Sequence, residues 1–169
     1  AHRLPYGPMK LLVLPGDGAF AATMAEVERR SLVPVLREAV EKRKPLLGIC
    51  IGMQLLFEES EEHGVHPGLG FLPGRVRRFE GDLPVPHMGW NRVTATRSSP
   101  LLTDIPDGGY FYFVHSYAAE VGPATVGQAT YGWPFSAVVE SGNFLATQFH
   151  PERSGVLGAR VLDNFLRRY

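Results

Sequence analysis

The chain has 169 residues, with 17 basic against 17 acidic side chains and a pI near 7.2, which is one domain's worth of chain with enough length for a sizeable core. That balance excludes the strongly basic face of a nucleic-acid or membrane-surface binder, and no apolar run approaches the roughly 20 residues of a membrane span. A single cysteine excludes an internal disulfide, so a reducing, cytoplasmic setting is the expectation.

After a turn-rich opening, residues 9–14 read as a buried strand that stops at Pro15-Gly16-Asp17-Gly18. An amphipathic helix follows, with Phe20, Met24 and Val27 on one stripe. A second helix starts after Ser31 as N-cap, with Val35, Leu36, Ala39 and Val40 apolar and Lys42-Arg43-Lys44 at its dipole-favoured end. Leu46-Leu47-Gly48-Ile49, entered through Pro45, reads as a buried strand. Beyond Cys50, Met53, Leu56 and Phe57 recur at i, i+3 and i+4 while Glu58, Glu59, Glu61 and Glu62 face outward, predicting a helix stopped at His63-Gly64.

Strand, helices, strand, helix is the pattern of parallel strands joined by right-handed crossovers, with active-site turns at the carboxyl ends of the strands. Residues 64–106 change to short alternating runs broken by Gly and Pro, read as added antiparallel strands. Residues 110–117 form an aromatic strand ending on polar side chains, and residues 131–139 and 143–149 read as two more strands. A closing helix from Ser154 buries Leu157, Val161, Leu162, Phe165 and Leu166. The expected fold is α/β: one domain over 1–169, three-layer, with a mostly parallel central sheet flanked by helices and extended by antiparallel strands.

Cys50 falls on the strand-to-helix turn, flanked as G-x-C-x-G by Gly48 and Gly52. This is the thiol form of a nucleophile elbow, in which small neighbours let the backbone turn sharply and lift one side chain clear of the sheet. A helix N-terminus behind the sulfur predicts a lowered thiol pKa, and the Ile51 N–H is one candidate oxyanion donor. A cysteine that merely fills core space is the other reading. Gly16-Asp17-Gly18 ends a strand as well, and its N–H groups can face an anion or simply make a tight turn. It lacks the Lys-Ser/Thr of a phosphate loop.

Downstream, His150 and Glu152 lie two apart on an extended segment and so share a face, giving a base with an orienting carboxylate for a cysteine nucleophile. A capping histidine beside a solvated glutamate is the alternative. His63 and His66 flank a glycine turn, and His2 and His87 stand isolated in sequence, so neither a metal site nor a cofactor is expected.

Gly48-Ile49-Cys50-Ile51-Gly52-Met53-Gln54 with His150-Pro151-Glu152 resembles the class I (triad) glutamine amidotransferases. Within that class, Pro86-His87-Met88-Gly89-Trp90-Asn91 and Phe113-Val114-His115-Ser116-Tyr117 are similar to the glutaminase subunits of imidazole glycerol phosphate synthases. The resemblance runs from about Leu11 to the C-terminus. It implies that Cys50 attacks the side-chain amide carbon of glutamine, with His150 as acid and base and Glu152 orienting it. It also implies oxyanion donors at Ile51 and the Asp17-Gly18 turn, each worth about 3 kcal/mol in the transition state. Gln54, His115, Ser116 and Tyr117 would hold glutamine, and Pro86, Met88, Trp90 and Asn91 would face a cyclase partner that receives ammonia.

Three departures from the family pattern stand out. Its usual opening strand, ending in Asp-Tyr-Gly-x-Gly-Asn, has no counterpart before Met9. Asp17 replaces an apolar residue, and Arg153 replaces a lysine after Glu152. Two other functions remain open: a glutaminase serving a different synthase of the class, and a non-catalytic relative that only binds its partner.

Overall fold

The computed structural model describes residues 11–167; the predicted strand residues Met9 and Lys10, and the end of the closing helix, lie outside them. The first elements are β1 (Leu12–Leu14), α1 (Phe20–Arg29), α2 (Leu32–Glu41), β2 (Leu46–Ile49) and α3 (Ile51–Gln54). Five short to medium strands follow: β3 (Phe57–Ser60), β4 (His66–Pro67), β5 (Leu72–Arg78), β6 (His87–Ala95) and β7 (Gly109–His115). The chain closes with β8 (Tyr117–Ala119), β9 (Thr125–Tyr131), β10 (Trp133–Ser141), β11 (Phe144–Thr147) and α4 (Gly155–Arg167).

Seven strands make the main sheet in the order β1-β2-β11-β10-β9-β6-β7, and four make a smaller one, β4-β3-β5-β8. In the main sheet β2 pairs in parallel with β1 on one side and β11 on the other. All four of its residues are buried, which is why it reads as an unbroken apolar run. The α/β class holds. Within the described residues, however, the parallel portion is β1, β2 and β11, and the four strands β10, β9, β6 and β7 extend it antiparallel, so the added strands outnumber the parallel ones.

The helix predicted through Phe57 and the glutamates stops at Gln54, and Phe57–Ser60 is instead a strand, parallel to β5 and antiparallel to β4. The residues fit the helical spacing locally and show no strand alternation; the neighbours decide. Leu55 and Leu56 are fully buried beside Met53, and Leu56 O accepts the N–H groups of Phe71 and Leu72. The glutamates bind backbone: Glu58 accepts from Gly74 N–H, Glu61 from Arg78 N–H and Glu62 from Phe20 N–H.

Glu62 thereby serves the start of α1, where Ala19 offers no side-chain cap. The α1 stripe of Phe20, Met24 and Val27 is buried as its spacing predicts. Ser31 does not cap α2 with its hydroxyl; it sits at φ 54° and turns the chain between the two helices. On α4, Val161 and Phe165 are buried, but Leu166 is 58% exposed, against its expected place in the core. The strand at 110–117 divides at Ser116, so β7 belongs to the large sheet and β8 to the small one. Phe79 fills the space between the sheets, its ring against those of Tyr131, Trp133 and Phe135. Among the described residues no helix is long and apolar enough to cross a membrane.

Candidate active site

Cys50 has φ 53° and ψ −113°, a backbone conformation that L side chains rarely adopt. The turn is held from both sides: Cys50 N–H bonds Thr147 O at 2.8 Å, and Cys50 O accepts from Met53 N–H and Gln54 N–H. A Cβ on Gly52 would stand 1.7 Å from Leu14 O, and one on Gly48 would stand 2.8 Å from Gly52 O. Hence both flanking glycines are required by close backbone approach.

The sulfur is buried, 3.9 Å from Val114 O and 3.8 Å from Gln148 Nε2. Burial pushes the thiol pKa up to about 11, helped by the Glu152 and Asp17 carboxylates, and a bond from the Ile51 N–H with one from Gln148 offsets only part of this. The expected lowering by a helix dipole is overturned. With α3 only four residues long, desolvation wins.

His150 follows β11 with its N–H on Tyr112 O at 3.0 Å. Its carbonyl accepts from Ser154 Oγ at 2.6 Å, and the same hydroxyl accepts from Tyr112 N–H, so Ser154 ties the histidine to β7. Glu152 lies in a 3₁₀ turn, Pro151–Arg153, not on an extended strand. The imidazole and carboxylate nonetheless meet, His150 Nδ1 donating to Glu152 Oε1 at 2.7 Å, which leaves Nε2 as the free ring nitrogen. Gly158 lets α4 press against this turn, since a Cβ there would lie 1.9 Å from Pro151 O. Arg153 stacks its guanidinium over Tyr112 at 5.1 Å.

Cys50, His150 and Glu152 line one cavity of about 800 Å³, together with Asp17, Gly18 and Ile51 from the candidate oxyanion turns. Gln54, His115, Ser116 and Tyr117 line it as well. Gln54 is fully buried and gives both amide hydrogens away, to Tyr117 O at 2.9 Å and Gln148 Oε1 at 3.0 Å. Its Oε1 has no hydrogen-bond partner among the described residues, so the pocket holds one buried acceptor ready for a donor. Of the residues expected at a partner interface, Pro86 reaches the cavity rim. Met88 and Trp90 stand 63% and 56% exposed on β6, and Asn91 turns inward to Thr130 O and the His87 ring. Among the described residues no group of three or more His, Cys, Asp or Glu side chains is placed to hold a metal ion.

Compared with known protein families, residues 2–169 match the one described as Glutamine amidotransferase class-I. The chain belongs to this family. The amidotransferase is 49% identical over 159 residues to the imidazole glycerol phosphate synthase subunit HisH of Desulfitobacterium hafniense (strain DSM 10664 / DCB-2), covering 93% of this chain and 75% of that protein. It is 51% identical over 158 residues to the subunit of the same name from Xylella fastidiosa (strain Temecula1 / ATCC 700964), covering 92% and 76%. Among solved structures, PurLQS from Thermotoga maritima superposes with a TM-score of 0.70 at 20% identity, over 94% of this chain and 79% of that one. That last likeness shows the fold.

Several residues that shape the amidotransferase pocket carry no signal of their own in the sequence. Gln148 joins Gln54 to the sulfur, yet in the sequence it is one polar residue at the end of a strand. Ser154 looks like a helix start, and Glu62 like the outer face of a helix, although it lines the cavity. His87, isolated in sequence, is paired in space with His115. For Gln148 the alternation of strand residues was the one usable clue, since it lies two before His150 on the same segment.

Proposed function

We propose that this chain is the glutaminase subunit of an imidazole glycerol phosphate synthase, acting in the cytoplasm within histidine biosynthesis. It hydrolyses glutamine to glutamate and ammonia and hands the ammonia to a cyclase subunit, its heterodimer partner. The observation that carries the chemistry is a strained, buried Cys50 sharing a cavity with a His150–Glu152 pair at 2.7 Å. HisH relatives near half identity over more than nine-tenths of the chain support the choice of synthase.

At neutral pH a thiol with a pKa near 11 carries its proton, so attack needs a base beside it. His150 Nε2 takes that proton as Sγ bonds the amide carbon of glutamine, and the carbonyl oxygen becomes an oxyanion facing the Ile51 N–H and the Asp17-Gly18 turn. His150 returns the proton to the nitrogen as the C–N bond breaks, releasing ammonia and leaving a glutamyl thioester. Water then attacks, His150 removing its proton; the C–S bond breaks, glutamate leaves and the proton returns to sulfur. Glu152 keeps Nδ1 protonated and stabilises the imidazolium at each stage. Gln54 Oε1 and the 115–117 segment hold the amino-acid end of the substrate.

Ammonia in neutral water is mostly protonated and not nucleophilic, so a dry hand-over favours a bound partner. The buried, carboxylate-flanked thiol supports low turnover by the subunit alone. Glutamate release should be measured with and without the cyclase subunit and its nucleotide ligand, with Cys50→Ala as blank. Turnover that appears only with the liganded partner is expected. Turnover unaffected by that partner would point to another synthase of the class, and none from a folded chain would leave a partner-binding relative.

A further inference from the structure

Two imidazoles occupy the junction of β6 and β7, and the proton transfers above use neither. His87 and His115 are register partners across those strands, and both are buried. His87 stacks on Tyr131 at 4.2 Å and on Phe113 at 5.1 Å, and the Phe79 ring meets both imidazoles edge-on. Packed this way, the rings cannot change rotamer without moving the aromatic core.

The direction of their hydrogen bonds follows from a single carbonyl. Tyr117 O can only accept, so His115 Nδ1, 2.8 Å away, carries a hydrogen. Burial drives the His115 pKa down to about 3 and that of His87 to about 4, so both rings are neutral near pH 7. His115 Nε2 is therefore bare and accepts from His87 Nδ1–H at 2.9 Å. His87 Nε2 is bare in turn, and the Asn91 amide donates to it at 3.2 Å. Tyr117 O also receives Gln54 Nε2–H, whose other hydrogen goes to Gln148, the residue that reaches the sulfur.

We propose that His87 and His115 are positioning residues for the glutamine pocket, fixing the Tyr117 carbonyl and through it the Gln54 amide by a one-directional hydrogen-bond chain that begins at Asn91. His115 thus serves through Tyr117 and not through ring contacts of its own with the substrate, since both its nitrogens are engaged in the protein. The chain starts on the strand that also bears Met88 and Trp90. The surface expected to meet the partner and the pocket floor are thereby linked by named bonds.

The kinetic consequence rests on the glutaminase reading; the bonding does not. Nitrogen-15 NMR of the full chain at pH 7 should find both rings neutral with hydrogen on Nδ1, and a charged ring or an Nε2–H tautomer at either residue overturns the proposal. In the complex with the cyclase subunit, His87→Phe keeps a ring but removes the donor to His115. It should raise KM for glutamine by about tenfold with kcat held within about threefold, as expected for lost binding that is equal in ground and transition states. His87→Asn, whose amide can donate in place of Nδ1–H, should restore KM to within about threefold of wild type. An unchanged KM, or a fall in kcat that His87→Asn does not rescue, would make the pair part of the packing alone and overturn the proposal. Should His87→Phe not fold, the tautomers and the His87→Asn kinetics decide. Should the wild-type complex release no glutamate, the functional reading falls while the tautomers still test the hydrogen-bond chain.

Discussion

At the β2 end of the main sheet a buried thiol stands in the pocket; at the β6–β7 end two imidazoles are buried. Cys50 is held in a rare backbone conformation with side-chain and carbonyl partners for its sulfur no closer than 3.8 Å. His87 and His115 have ordinary strand geometry and bonds at all four ring nitrogens. The proposed nucleophile sits in a strained backbone with long contacts to its sulfur, and the two rings are hydrogen-bonded at every nitrogen. Burial also acts with opposite sign on the two. It raises the thiol pKa and lowers those of the imidazoles, because it penalises the thiolate in one case and the imidazolium in the other.

The strongest way to break the thiol end is Gly52→Ala, whose methyl would enter the Leu14 carbonyl. Urea unfolding should show a loss of at least about 3 kcal/mol, whereas a small change would mean that β1 can move aside. Next comes His150→Ala, which should cut kcat by about a hundredfold or more with partner binding unchanged; weakened binding instead would make the histidine structural.

The pH dependence of stability should divide the two ends. The native thiol keeps a proton that the unfolded chain releases from about pH 9, so its contribution is complete below that pH. It should be lost as pH rises through about 11, amounting to about 3 kcal/mol. In Cys50→Ala that alkaline loss should vanish. The imidazoles have folded values depressed from 6.5, so their contribution is complete above pH 6.5 and falls away as pH drops through about 4 and about 3. Urea midpoints against pH should show a shallower acid limb for His87→Phe, and an identical limb would contradict the burial of a neutral ring.

A smaller effect is expected at the exposed side of β6. Trp90→Ala should weaken association with the cyclase subunit by about tenfold while basal chemistry survives, checked by titration calorimetry and partner-free turnover. Smallest of all, Cys50→Gly should be more stable than Cys50→Ala by about 1 kcal/mol, since only glycine adopts φ 53° with ψ −113° at little cost. Equal midpoints would remove the strain argument.

The elbow was legible because its G-x-C-x-G signature is local, although the contacts that require Gly52 and hold Cys50 come from Leu14 O and Thr147 O, far away in sequence. The His150–Glu152 pair was legible too, though for a different geometric reason, as the 3₁₀ turn and not strand alternation brings them together. The stretch after Gln54 was not. Phe57-Glu58-Glu59-Ser60 lacks strand alternation and fits the helical stripe better, its buried ends being three apart, and the choice lies with β5, which arrives later in the chain. β9 went unread because Gly127 and Gln128 interrupt its alternation, and β6 and β10 supply its bonds.

What the residues determined by themselves were the class of fold, the family and the candidates proposed as nucleophile, base and carboxylate, since short motifs bind chemistry to fixed spacings. Tertiary structure alone decided the thiol's raised pKa, the second sheet, and the joining of Gln54, Gln148, His87 and His115 into one bonded set. Those depend on burial and on contacts between residues as far as 98 apart. Desolvation and hydrogen-bond partnership are properties of the packed neighbourhood, which no local spacing encodes.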